Sequence, residues 1–157
     1  MADSLAYLAS PYSRFHLGLE AAFIKASQIA AKLLVSGVKV YSPIAHTHPI
    51  AVYGDLDPMN LNLWYPHGHV MMERCDCLIV AHMEGWDTSH GVKTEIEYFR
   101  KMDKPIFDMN CESLVLVKRR TDSHFDERMP LGIADMKAFS GGRRELPSLA
   151  MPDPKGQ

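Results

Sequence analysis

LAYLASPYSRFHLGLEAAFIKASQIAAKLLVSGVKVY, residues 5–41, is the stretch that decides the fold. Leu5–Ala9 is a short apolar run stopped by Ser10-Pro11, the pattern of a buried strand. From Phe15 to Val35 the period changes. Leu19, Ala22, Phe23, Ala26, Ile29, Ala30, Leu33 and Leu34 recur at three- and four-residue steps and form one apolar helical stripe. Gly37 stands where a left-handed residue closes a helix. Val38–Tyr41 follows as a second strand, and Ser42-Pro43 stops it. Strand, helix and strand in so short a stretch make a βαβ unit, which is expected to cross over right-handed.

Downstream, residues 44–58 read as a loop, and Met59–Arg74 as a helix interrupted by Pro66 and Gly68. Asp76–Ala81 reads as a strand, residues 83–90 as a polar loop and Gly91–Met102 as a helix. Pro105–Phe107 is a short fourth strand, and Leu114–Val117 is a candidate fifth. The alternation predicts an α/β fold: a Rossmann-like or flavodoxin-like parallel sheet of four or five strands with helices on both faces. This domain spans residues 1–118. Over residues 119–157 charge, Pro, Gly and Ser dominate. That polar extension is expected to be partly disordered or to dock on a partner subunit.

The bulk composition bounds the function. Of 157 residues, 46% are hydrophobic and 23% charged, which fits one globular domain with a real core. The formal net charge of -2 provides no basic field for a phosphate backbone, so a nucleic-acid polymer is not an expected partner. No apolar run approaches the roughly 20 residues of a membrane span, and the start lacks a basic leader, so no membrane association is expected. Cys75, Cys77 and Cys111 do not make an even disulfide framework, which fits a reducing, cytoplasmic compartment.

Ligands in parallel α/β sheets bind at the carboxyl ends of the strands. That rule selects Ser10–Arg14, Ser42–His48 and Ala81–Glu95. The third is the most informative: Trp86-Asp87-Thr88-Ser89-His90-Gly91-Val92-Lys93-Thr94-Glu95. A helix beginning near Ser89 would offer unpaired N–H groups to an anion. Glu95 falls on its second turn and can face the same crevice. Glu97, about 200° round the helix, cannot share it.

Here the chain resembles the nucleoside 2-deoxyribosyltransferase superfamily, which includes the 2′-deoxynucleoside 5′-phosphate N-hydrolases. The likeness rests on Ser89, Gly91 and Glu95 after Cys75-Asp76, and on Tyr7-Leu8-Ala9-Ser10-Pro11-Tyr12 at the first strand. Ser13 completes an LAxPYS stretch, and Glu95-Ile96-Glu97-Tyr98-Phe99 suits a small bacterial and phage branch of the group. The likeness covers about residues 4–109.

The resemblance implies cleavage of an N-glycosidic bond through a covalent glycosyl-enzyme intermediate. It makes Glu95 the nucleophile and gives Asp76 the role of binding or protonating the base. Tyr7 would orient the nucleophile, with Tyr12 as the alternative. It also implies a homodimer or higher homo-oligomer, the Met59–Arg74 helix being the candidate interface, and no cofactor. Relatives that act on free nucleosides tend to carry an acid where Ser89 stands. Serine there suits a phosphate, which favours a (deoxy)nucleoside 5′-monophosphate as the small-molecule partner. The glycine-rich loop of the phosphate hydrolases is missing. In its place Ser10, Tyr12, Ser13 and Arg14 are the candidate substrate contacts, Arg14 by a charge-assisted fork. His46 and Trp86 are candidates for the base or sugar, and Gly91 for the anion.

Three other readings compete: base exchange by the same intermediate, a non-catalytic nucleotide-binding module, and a metal-dependent hydrolase. The last would use His46-Thr47-His48 and His67-Gly68-His69 with Cys75 and Cys77. No recognised zinc spacing is present, so no metal is expected.

Overall fold

A computed structural model of the chain describes residues 4–120 and 130–131. Its organising element is β1 (Leu5–Ala9), whose alternating side chains feed two cores. Ala6 and Leu8 join one apolar cluster, Tyr7 and Ala9 the other. The strands β3 (Cys77–Ala81) and β4 (Ile106–Met109) alternate in the same way. Cys77, Ile79, Phe107 and Met109 face the first cluster; Leu78, Val80 and Ile106 face the second. Helix α1 (Leu19–Val35) covers the first face through Ile29, Ala30 and Leu33. Helices α3 (Leu61–Arg74) and α4 (His90–Lys101) cover the second through Met72, Val92, Ile96 and Phe99. Side chains of this size each contribute about 1.5–3 kcal/mol when fully buried.

With β2 (Lys39–Tyr41), β5 (Leu116–Lys118) and β6 (Pro130–Leu131), the sheet order is β2-β1-β3-β4-β5-β6. The four strands β2, β1, β3 and β4 are parallel; β5 runs antiparallel to β4, and β6 antiparallel to β5. The α/β class, the parallel core and the helices on both faces agree with the sequence reading. The fifth strand begins later than expected because Leu114 takes a left-handed conformation (φ 56°) that a strand cannot hold. Gly37 is also left-handed (φ 88°), as its place after α1 requires.

The stretch read as a loop over residues 44–58 contains a helix, α2 (Pro43–Tyr53). The Ser42 hydroxyl accepts from the Ala45 amide at 3.3 Å, and Pro43 occupies the first helical position. The pair that stops β2 therefore also starts α2. Most of the expected 119–157 extension lies outside the described residues, but Pro130 and Leu131 pair with Val117 and Leu116. Among the described residues no helix is long and apolar enough to cross a membrane.

From β1 the chain moves to β2 on one side and later to β3 on the other, so the strand order reverses between β1 and β3, and the crevice of such sheets lies above that pair. At the opposite end of the sheet a single cation anchors α3. Lys104 Nζ donates to the carbonyl oxygens of Met72 (3.2 Å), Glu73 (2.7 Å) and Cys75 (2.7 Å). It thereby satisfies groups that the helix end leaves open. Replacing Lys104 by Met is expected to lower stability by about 1–2 kcal/mol in urea unfolding, the scale of lost charge-assisted hydrogen bonds in a part-buried setting. An unchanged unfolding midpoint would show that the anchor contributes nothing.

Candidate functional site

Tyr7 sits in mid-strand, 2% exposed, and points to the face covered by α3 and α4. Its hydroxyl donates to Glu95 Oε1 at 3.0 Å. Glu95 lies on the second turn of α4, which places it beside β1 at the crevice. The residue keeps partial solvent access while its carboxyl is packed round by protein. Burial pushes that carboxyl up to about 8, and the Tyr7 hydrogen bond pulls against the rise. Burial, and then the neighbouring Glu95, holds the Tyr7 phenol well above its usual range.

Three further residues wall this pair. The Tyr41 ring, at the end of β2, is 5.6 Å from the Tyr7 ring. Burial, then Cys75 and Glu95, pushes its phenol up to about 12. Gly68 on α3 faces the Tyr7 hydroxyl: a methyl group added there would stand 3.9 Å from it. His67, next to Gly68, brings Nε2 to 3.3 Å from the Tyr41 hydroxyl. The His46 ring stacks on His67 at 5.2 Å and 18°. In the sequence Tyr41 has no site role and His67-Gly68 enters only in the metal reading; Tyr41, His67 and Gly68 meet because β2 and α3 flank β1 and α4.

Asp76 requires a correction. It precedes β3 at the amino end of the strands, opposite the crevice, where Oδ2 accepts from the Leu5 amide at 2.7 Å. An exposed carboxylate there ties β1 to β3 and does not reach a base beside Glu95. The contact with Glu95 is made by Tyr7 and not by Tyr12. The Tyr12 hydroxyl is 2.6 Å from His48 Nδ1, and His48 Nε2 is 2.8 Å from Glu20 Oε2. His46 and His48 lie on a helix and so point to opposite flanks of α2: His46 toward Tyr41 and His67, His48 toward Tyr12 and Phe23.

The loop residues of the expected substrate site lie at the carboxyl end of the sheet. Ser10 follows β1 directly and is 6% exposed, and its hydroxyl has no hydrogen-bond partner among the described residues. Ser13 and Arg14 are exposed in the same connection. The Arg14 carbonyl packs so closely on Gly85 that any side chain at Gly85, which is also left-handed (φ 87°), would clash. The loops after β1 and β3 are thus locked together. Ser89 caps α4, its hydroxyl accepting from the Val92 amide at 3.4 Å. Gly91 leaves the first turn of α4 open: a methyl group added there would have only the Ser89 hydroxyl within 4 Å.

Trp86 departs from its expected role. The His82 ring covers it at 4.0 Å and 4°. The pocket it lines, about 270 Å³, lies on the other flank of α4, with Lys93, Glu97 and Arg100. His82 and Arg119 both bind Asp108, whose carboxyl is pushed up by burial but carried below its usual range by those two partners. No three His, Cys, Asp or Glu side chains among the described residues gather as metal ligands would. Burial pushes the Cys75 and Cys77 thiols up to about 12, so neither is an activated nucleophile.

Glu95 carries a stability signature. Its folded-state carboxyl titrates near 8, above the 4.5 of an unperturbed carboxyl, so the folded chain holds a proton that the unfolded chain releases. Stability from this group is full below about 4.5 and is lost as pH rises through about 8. A neutral Glu95→Gln variant should match the wild type at acid pH and exceed it by about 5 kcal/mol at pH above 8. Urea denaturation of both proteins across that range checks this; a difference independent of pH would overturn it.

No curated protein matches the chain. Residues 4–111, the segment that holds β1 through β4 with Tyr7, Ser89 and Glu95, match the family described as Domain of unknown function (DUF1937), and the chain belongs to that family.

Proposed function

We propose that this protein is an N-glycosidase that cleaves a (deoxy)nucleoside 5′-monophosphate into a free base and a sugar phosphate. The observation that carries the reading is the Tyr7–Glu95 hydrogen bond at the crevice above β1 and β3. A carboxyl in apolar surroundings, aimed by a phenol, suits attack on an anomeric carbon with oxocarbenium character. In the first step a Glu95 oxygen bonds to C1′ as the C1′–N bond breaks, and the electron pair leaves with the base, which takes up a proton. In the second, water adds to C1′ and frees the Glu95 carboxylate. Positive charge developing at C1′ favours the ionised form of Glu95, offsetting the burial that raises it. The buried, unpartnered Ser10 hydroxyl and the open first turn of α4 support an anionic substrate group at the carboxyl end of the sheet.

The α2–α3 turn supports association with a second copy. Val52, Tyr53, Leu56, Met59 and Leu61 are all at least 41% exposed, and residues 50–70 contain no Lys or Arg. Leu61 begins α3 about 9 Å along the helix axis from His67, so this surface borders the crevice. A second copy seated there would close its rim.

Chromatography of free bases after incubation with nucleosides and their 5′-monophosphates tests the reaction. Base release from monophosphates should fall at least about 1,000-fold in Glu95→Gln and about 10- to 100-fold in Tyr7→Phe. On a substrate whose base leaves without protonation, only the nucleophile has to be in the right state, so kcat/KM should rise with pH through about 8. That limb should move to higher pH in Tyr7→Phe, which loses the hydrogen bond that lowers the carboxyl. Full turnover in Glu95→Gln would refute the mechanism, and release that depends on a second base would make the protein a transferase. For the association, light scattering should give a dimer or larger for the wild type at micromolar concentration and a folded monomer for Leu61→Glu. A monomeric wild type would end that part of the proposal.

A further inference from the structure

The N-glycosidase reading leaves one requirement open. A base departing as an anion is a poor leaving group, so a proton must reach it as the bond breaks. Asp76 is at the wrong end of the sheet for this. The Tyr7 proton is engaged with Glu95. Cys75 is fully buried. Tyr41 lies between Tyr7 and His67, and its hydroxyl meets His67 Nε2 at 3.3 Å. An unbroken run of contacts therefore leads from the nucleophile to an exposed imidazole: Glu95, Tyr7, Tyr41, His67, with His46 stacked behind.

From this run of contacts we infer that His67 is the proton donor to the leaving base, with Tyr41 and His46 as positioning residues; the assignment rests on the N-glycosidase reading. Three features of the chain converge on it. Gly68, beside His67, sets no side chain against the Tyr7 hydroxyl, from which an added methyl would stand 3.9 Å. Tyr41 holds one ring nitrogen, Nε2, and so leaves Nδ1 to exchange the proton. The near-parallel His46 ring restricts rotation of His67, which would otherwise be a free surface side chain. In the first step the C1′–N bond breaks, Nδ1–H protonates the base and His67 becomes neutral. In the second, water attacks C1′, the C1′–O bond to Glu95 breaks, and the water proton passes to Nδ1. The site returns to its starting state with no other reactant.

The test is the dependence on leaving group. His67→Ala is compared with wild type, with Glu95→Gln and with a His69→Ala control, on the bases that the wild type releases. Each is paired with a form that leaves without help: an N7-methylated purine, already cationic, or a 5-fluorinated pyrimidine, more acidic. His67→Ala should release the ordinary base about 100-fold more slowly and the activated base within a few-fold of wild type, and His69→Ala should match wild type on both. Equal loss on both members of a pair, with Glu95→Gln still inactive, would overturn the His67 assignment and leave the glycosidase standing. No release from any substrate by the wild type would overturn the glycosidase reading and the assignment with it.

Discussion

The Tyr7–Glu95 hydrogen bond is the constraint around which the second face of the sheet is arranged. The buried Glu95 carboxyl loses most of its water, and the charged form becomes costly. One phenol, delivered by the central strand, offsets part of that cost. Tyr7 reaches it because β1 lies between β2 and β3, so its side chain projects between α3 and α4. Slipping the strand by one residue would turn Tyr7 into the other core and put Leu8 against the carboxyl. Register, sheet order and the position of Glu95 on α4 are thus conditions of one contact.

The two flanks of α4 show how environment divides similar groups. On one flank Glu95 has a single neutral partner and is held near the pH of a working acid or base. On the other, near Trp86, Asp108 has Arg119 and His82, and the two charge-assisted contacts outweigh burial and keep it ionised. The second arrangement clamps β4 to β5 and to the loop after β3. It fixes structure, whereas the first leaves a buried carboxyl that can change its charge near neutral pH.

What could be read from the sequence follows from range. The stripe from Ala22 to Leu33 and the apolar runs at Leu5–Ala9 and Cys77–Ala81 are local, and each appears as an element close to where the period changes. Glu95 was readable because one helix carries it together with its cap Ser89. Helix α2 was not, since Ser42-Pro43 closes a strand and opens a helix with the same two residues, and Pro49 breaks the pattern inside. Asp76 was misplaced because linear nearness to a strand does not say which end of the sheet a residue occupies. Tyr41, His67 and Gly68 come from two separate elements, and no spacing rule connects them to Tyr7.

Helix α3 makes sense only in relation to the crevice. Gly and Pro in a helix interior cost about 1 and 3 kcal/mol against Ala, and α3 contains both, at Gly68 and Pro66. Among its residues only Met72 is fully buried, so packing does not explain the tolerance. Lys104 secures its carboxyl end through three carbonyls, and Trp64 Nε1 ties its first turn to the Asp57 carbonyl at 2.9 Å. At the middle of the helix Gly68 sets no side chain against the Tyr7 hydroxyl, and His67 turns to Tyr41. A helix anchored at one end, with a glycine at its middle facing Tyr7, serves the Tyr7–Glu95 pair more than it serves the core.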